Sequence, residues 1–235
     1  MSVTGIVAAL TAEARTLGPA QPARSQPAVG ITINTLADGT LLVISGMGEA
    51  AAAQAALALV AAGAGALLSF GLAGGLDPAL AAGAVLLPRA VLDETGTLLA
   101  ACESWREQLA AHRSAAAGTL LSLARPLTTQ DEKAQARARS GAVAVDMESA
   151  AIGRVARERG VKFAVARVVV DTATDSLPRS VLAATDPRGA IHAARLVAGL
   201  LRRPSEIVGL LRLARRYRQA IVALRVLADA GLARS

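Results

Sequence analysis

The stretch GAVAVDMESAAIGRVARERG, residues 141–160, decides the fold. Gly141 to Val145 is a run of small and β-branched apolar residues without polar alternation, the mark of a strand covered on both faces. From Met147 onward the pattern turns helical. Two carboxylates, Asp146 and Glu148, stand at the junction, where a buried charge needs a partner or a task. VARVVVDTATDS (165–176) repeats the arrangement, with Asp171 closing a run of valines.

Working outward, apolar strand-like runs recur at 4–10, 29–36, 40–46, 66–71, 83–88, 118–124, 141–146 and 162–171, and helical stretches are expected near 48–62, 102–113, 130–139, 147–159 and 186–202. Alternating strands and helices imply an α/β domain with a largely parallel or mixed sheet covered by helices. In such sheets ligands gather outside the carboxyl ends of the strands. Asp146, Glu148, Asp171 and the glycines at 46–48 and 74–75 all fall at or just beyond strand ends.

The 235 residues fit one large domain, expected over 1–202, followed by a basic amphipathic helical tail over 203–235. Aromatic residues make up only 2% of the chain, so alanine, valine and leucine must build the core. Of the net charge of +7, nearly all resides in the tail, where eight arginines from Arg202 to Arg234 face only Glu206 and Asp229. In the tail helix, expected over about 205–228, Ile207, Leu210, Leu211, Ala214, Ile221 and Leu224 follow helical spacing, and Arg212, Arg215, Arg216 and Gln219 share the other side. The charge is not matched by interleaved aromatics or a recognition motif, and no nucleic-acid partner is expected. A single cysteine, Cys102, excludes an intrachain disulfide and a thiolate metal site. His112 and His192 stand alone, so no metal is expected. The uncharged stretch 50–76 is long enough to span a bilayer, but its glycines and the break at Gly63–Gly65 read as helix, turn and strand. The first fifteen residues lack the basic region of a signal peptide, pointing to the cytoplasm.

SGMGEAA (45–51) mimics a dinucleotide fingerprint, but the next acid after Glu49 is Asp77, too far on for the ribose contact. A glycine loop before a helix still presents backbone N–H groups to an anion, and here that loop carries Gly46 and Gly48. FGLAGGLDP (70–78), with Gly74 and Gly75, permits close backbone approach to a ligand. Each has a plain structural reading as well: tight turns for the glycines, helix capping for Asp146, Glu148 and Asp171, a solvated helix position for Glu13.

Five stretches in order, GIVAALTAEA, SGMGEAAAA, GLAGGL, VDMESAAI and VVVDTATD, resemble the purine nucleoside phosphorylase/nucleosidase superfamily over about residues 4–175, closest in pattern to the methylthioadenosine/S-adenosylhomocysteine nucleosidases. SLPRSVLAATDPRG followed by LLRRPSEIVGLLRLAR is similar to the C-terminal part of the hopanoid-associated phosphorylases. The resemblance implies a three-layer α/β/α fold with a twisted mixed central sheet, and cleavage of the N-glycosidic bond of a 5′-substituted adenosine: adenosylhopane by the tail, methylthioadenosine or S-adenosylhomocysteine as the alternative. By position, Glu148 and Met147 match residues that hold the ribose, Asp171 the acid that protonates N7 of the departing purine, and Glu13 the carboxylate that activates the attacking water. The glycine loops Gly46, Gly48, Gly74 and Gly75 are expected to place the nucleophile. No cofactor is implied, with inorganic phosphate a candidate co-substrate; the expected partners are a nucleoside-lipid substrate, a second copy of the chain, and an anionic inner-membrane surface touched by residues 205–228. The chain departs from the family pattern at Val170 and Leu72, where the family carries polar residues, at TTQDEK (128–133) in place of a base-stacking aromatic, and in lacking the phosphorylases' arginine before the glycine turn. Water and phosphate both stand as nucleophiles.

Overall fold

Residues 3–26, 30–111, 114–184, 198, 202–203 and 206–232 are described by the computed structural model. At its centre lies β5 (Ala64–Gly75), a strand long enough to serve three neighbours. β1 (Val3–Ala8) runs parallel to it until Ala8 meets Phe70, and β11 (Lys162–Asp171) runs parallel to it as far as Gly74. β10 (Ala144–Asp146) then takes up antiparallel pairing at Gly74 and Gly75. Outward from β1 come β4 (Leu41–Ile44), β3 (Ile31–Leu36) and β2 (Ala20–Gln26); outward from β10 come β9 (Thr119–Ser122), β7 (Ala90–Leu92) and β8 (Leu98–Ala100). β6 (Val85–Leu86) pairs with β11 on its far edge. Parallel and antiparallel pairings make the sheet mixed, as expected.

Two helical layers explain the unbroken apolar runs. Successive side chains of a strand point to opposite faces, so Leu67, Val165 and Val169 meet α2 (Glu49–Ala61) and α5 (Ser149–Arg159) on one side. On the other side Leu68, Phe70 and Val168 meet α1 (Thr11–Ala14), α3 (Glu103–Ala110) and the C-terminal helix. α4 (Gln130–Ser140) packs at the β10 end, over Leu76, Leu127 and Val145. The short α6 (Arg179–Ala184) follows the glycosidic-site candidates in sequence.

The C-terminal helix, α7 (Ile207–Asp229), lays Ala220, Leu224 and Leu227 on the core, and the indole N–H of Trp105 donates to the carbonyl of Leu232 at 3.3 Å. Its faces differ from the periodicity reading. Leu211 and Ala214, expected on the apolar side, are exposed, whereas Arg216, expected on the polar side, is turned inward to Asp175. A tail rich in both arginine and aliphatics has more than one stripe at helical spacing, and only packing selects between them. β2, β7 and β8 were not anticipated, being short or, in β2, interrupted by Pro22. His112, His192 and most of the helix expected over 186–202 lie outside the described residues.

Candidate active site

Each catalytic candidate owes its position to a local device. Glu13 sits in the third position of α1, where its carboxylate accepts the N–H of Leu10 at 2.9 Å and so caps its own helix. The other oxygen accepts the N–H of Leu72 at 2.9 Å, tying α1 to the glycine turn of β5. Rather than a solvated helix residue, Glu13 is 2% exposed. Asp146, the last residue of β10, caps α5 by accepting the N–H of Ser149 at 3.2 Å and its hydroxyl at 2.5 Å. Glu148 does not cap its own helix. It crosses to α2 and accepts the N–H of Gly48 at 2.9 Å, so the anion held by that glycine loop is the protein's own carboxylate. Asp171 ends β11 at a register shift, where two residues oppose Gly74; such a bulge re-aims a side chain, here into the space beneath α4.

Two cations hold these acids together. Arg167 lies in β11 opposite Gly71 and is 2% exposed. Its guanidinium meets Asp146 at 2.6 Å and Glu148 at 3.6 Å, and donates to Ser69 Oγ at 2.8 Å and to the carbonyl of Leu72 at 3.3 Å. Lys133, in the first turn of α4, is buried and donates to Asp171 and to the carbonyl of Thr172, the latter at 2.8 Å. Its placement follows from the helix start: Thr129 Oγ accepts the N–H of Glu132 at 3.2 Å while Glu132 accepts the N–H of Thr129 at 3.2 Å, a reciprocal cap that fixes α4 and turns Lys133 inward.

Four buried carboxylates face only two cations, and burial decides the outcome. Desolvation raises Glu13 above the ordinary carboxylate range against the opposing charge of Arg167. Desolvation also pushes Glu148 up to about 7, with Arg167 opposing and Asp146 assisting. Asp171 is raised by the same loss of water, which Lys133 only partly offsets. Glu13, Glu148 and Asp171 are therefore each biased toward the protonated form, as groups that hold and pass protons are.

The four carboxylates and Lys133 line one cavity of about 260 Å³, with Arg167 behind them. Glu13, Glu148 and Asp171 contribute its polar points; Leu10, Met47, Leu72, Val145, Met147 and Val170 contribute much of its apolar wall. Gly74 also lines it, and a Cβ there would stand 3.4 Å from the Asp171 carboxylate. Gly46, Gly48 and Gly75 are not part of the lining: Gly46 donates to the carbonyl of Ala9 at 3.0 Å in the turn before α2, and Gly48 touches the site only through Glu148. Leu72 and Val170, the two apolar departures, are both in the wall, and Leu72 serves through its backbone. The sequence reading missed Arg167, Lys133 and Tyr217, the last reaching the cavity from α7. Arg167 had a signal, a lone cation in a run of valines; Lys133 and Tyr217 had none. Among the described residues no set of three or more His, Cys, Asp and Glu side chains is arranged to hold a metal ion.

Carboxyls biased toward protonation, beside an apolar cavity at the carboxyl ends of parallel strands, are the equipment of glycosidic bond cleavage, and the fold and site together define an enzyme of the nucleoside phosphorylase/nucleosidase class. The chain belongs to the phosphorylase superfamily, whose family model matches residues 4–202. Curated proteins give no sequence match. Among solved structures, the chain is similar in fold to the 5′-methylthioadenosine/S-adenosylhomocysteine nucleosidase of Helicobacter pylori, with a TM-score of 0.70 at 16% identity over 97% of this chain and 98% of that one. Futalosine hydrolase of Helicobacter pylori gives 0.68 at 16% identity, covering 97% of both. The S-adenosylhomocysteine nucleosidase of Streptococcus pyogenes gives 0.65 at 21% identity, covering 96% of both.

Proposed function

We propose that the protein hydrolyses the N-glycosidic bond of a 5′-substituted adenosine, releasing adenine. The observation that carries this is the separation of roles around one cavity: Asp171 with Lys133 on one side, Glu13 and Glu148 with Arg167 on the other. As the bond from the anomeric carbon to the purine nitrogen breaks, its electron pair leaves with the base. Asp171, biased toward its protonated form, delivers a proton to N7, and Lys133 holds the carboxyl in place. Glu148 accepts hydrogen bonds from the ribose hydroxyls, and its charge stabilises the oxocarbenium-like sugar. Glu13 takes the proton of the water that attacks the anomeric carbon. Met147 packs on the sugar.

Water is favoured over phosphate because the cations are engaged. Arg167 is committed to Asp146, Glu148, Ser69 and Leu72, Lys133 to Asp171 and Thr172, and the Gly48 N–H to Glu148. Among the described lining residues Arg125 is the remaining cation, exposed at the rim and paired with Glu132 at 2.8 Å.

The similarity of the C-terminal stretch to the hopanoid-associated phosphorylases favours adenosylhopane as substrate, in hopanoid side-chain biosynthesis. Methylthioadenosine or S-adenosylhomocysteine is the second reading, favoured by the solved nucleosidases of like fold. The test is adenine release from adenosylhopane in detergent and from methylthioadenosine, with and without phosphate, for wild type and Asp171→Asn. Release independent of phosphate and lost in the variant is expected. Phosphate-dependent release would overturn hydrolysis, and release from methylthioadenosine alone would establish the second reading.

A further inference from the structure

α7 carries opposed chemistries on its two faces. Inward, Ala220, Leu224 and Leu227 join the core, Arg216 pairs with Asp175 and donates to Thr172, and Tyr217 reaches the cavity. Outward, on one stripe at helical spacing, stand Val208, Leu211, Val222 and Val226, each close to two-thirds exposed. Arg212, Arg215, Arg218 and Arg225 are exposed on the same side. Arg216 is the one α7 arginine paired with a carboxylate among the described residues, and it lies on the inner face.

We infer that this outward face is a docking surface for an anionic lipid bilayer, with α7 lying in the plane of the headgroups. Aliphatic side chains on a helix rich in arginine suit that boundary: the hydrocarbon enters the headgroup–acyl region while the guanidinium groups meet lipid phosphates. Contact is peripheral, since no helix among the described residues is long and apolar enough to cross a membrane. A second copy fits this face poorly, because a twofold contact sets the same four arginines against each other. The inner and outer sides of one helical turn, Tyr217 on the cavity and Arg215 and Arg218 on the lipid, bring the site within about one helix diameter, roughly 10 Å, of the bilayer. The inference is independent of which bond the enzyme cleaves.

Vesicle co-sedimentation tests it, using phosphatidylcholine alone and phosphatidylcholine mixed with phosphatidylglycerol. Wild type is expected on the mixed vesicles only, with binding that weakens as salt rises. A basic residue near an anionic surface is worth about fivefold in binding, so replacing all four outward arginines by glutamine weakens it by roughly 10² or more. Leu211→Ser with Val222→Ser and Val226→Ser weakens it as well, while both variants keep the melting temperature and adenine release of wild type. Equal binding to neutral vesicles, no binding to either, or an arginine variant that binds like wild type would each overturn the inference. So would a dimer in sedimentation equilibrium that the serine variant dissociates while vesicle binding is unchanged, which would assign the apolar residues to a second copy.

Discussion

Replacing Gly71 by alanine tests whether the relative placement of Glu13 and Arg167 governs the chemistry. Gly71 lies where β5 passes between the two side chains. A Cβ there would stand 2.5 Å from the Glu13 carboxylate oxygen and 2.6 Å from an Arg167 nitrogen, where ordinary contact begins at 3.4 Å. Both groups are buried and tethered: Glu13 to the N–H groups of Leu10 and Leu72, Arg167 to Asp146 and Ser69. The methyl group forces the carboxylate back by about 0.9 Å, and a misplacement of that size costs on the order of 10² in rate. Overpacking adds about 1–3 kcal/mol of destabilisation. The assay is kcat for adenine release beside thermal unfolding, with Gly209→Ala as control. Gly209 lies in α7 and a Cβ there meets nothing nearer than Pro178 at 3.5 Å, so the control should be neutral or slightly stabilising. A Gly71→Ala enzyme with kcat within about threefold of wild type would show that the registry of Glu13 with Arg167 is not what the reaction depends on.

Three further outcomes are expected. Asp171→Asn keeps the shape of the site but removes the proton, lowering kcat by about 10²–10⁴ with little change in KM; a substrate whose leaving group needs no proton should be spared. Lys133→Met leaves Asp171 buried without its paired cation, with only the more distant Arg216 to oppose its charge, costing about 3–5 kcal/mol when the carboxyl is ionised. Because burial already raises Asp171, that cost is absent at low pH, where the carboxyl is protonated, and grows as pH rises, a trend read from urea unfolding across pH and removed by adding Asp171→Asn. Glu148, raised from 4.5 to about 7, contributes stability that is complete below 4.5 and lost as pH rises through about 7. That contribution is on the order of 3 kcal/mol, and the Glu148→Gln protein should show a flatter stability profile across this window.

Much of the architecture was legible because burial on both faces writes itself as unbroken apolar runs. β5, β10 and β11 were all found this way, and the acids that close β10 and β11 stood out against the valines. The limits were also physical. Periodicity sees one segment at a time, whereas Lys133 matters only because a helix cap in another segment aims it at Asp171. Arg167 was visible as an oddity, but its partners come from β5, β10 and the start of α5, all remote in the chain. Glu13 shows the converse: its spacing looked like that of a solvated helix residue, and only the resemblance to the superfamily flagged it. In α7, arginines and aliphatics fall at helical spacing on more than one stripe, so the face that joins the core was settled by Trp105 and Leu232 rather than by pattern.

The cavity takes Glu13 from the first helix and Tyr217 from the last described one. A chain emerging from the ribosome therefore carries Glu13 early but lacks one wall of the cavity until α7 has been made. Domains fold from the N-terminus as they are synthesised, so a chain not yet extended through α7 leaves the cavity open on the side that Tyr217 covers. Synthesis of α7 is thus the step at which the cavity gains its last wall among the described elements.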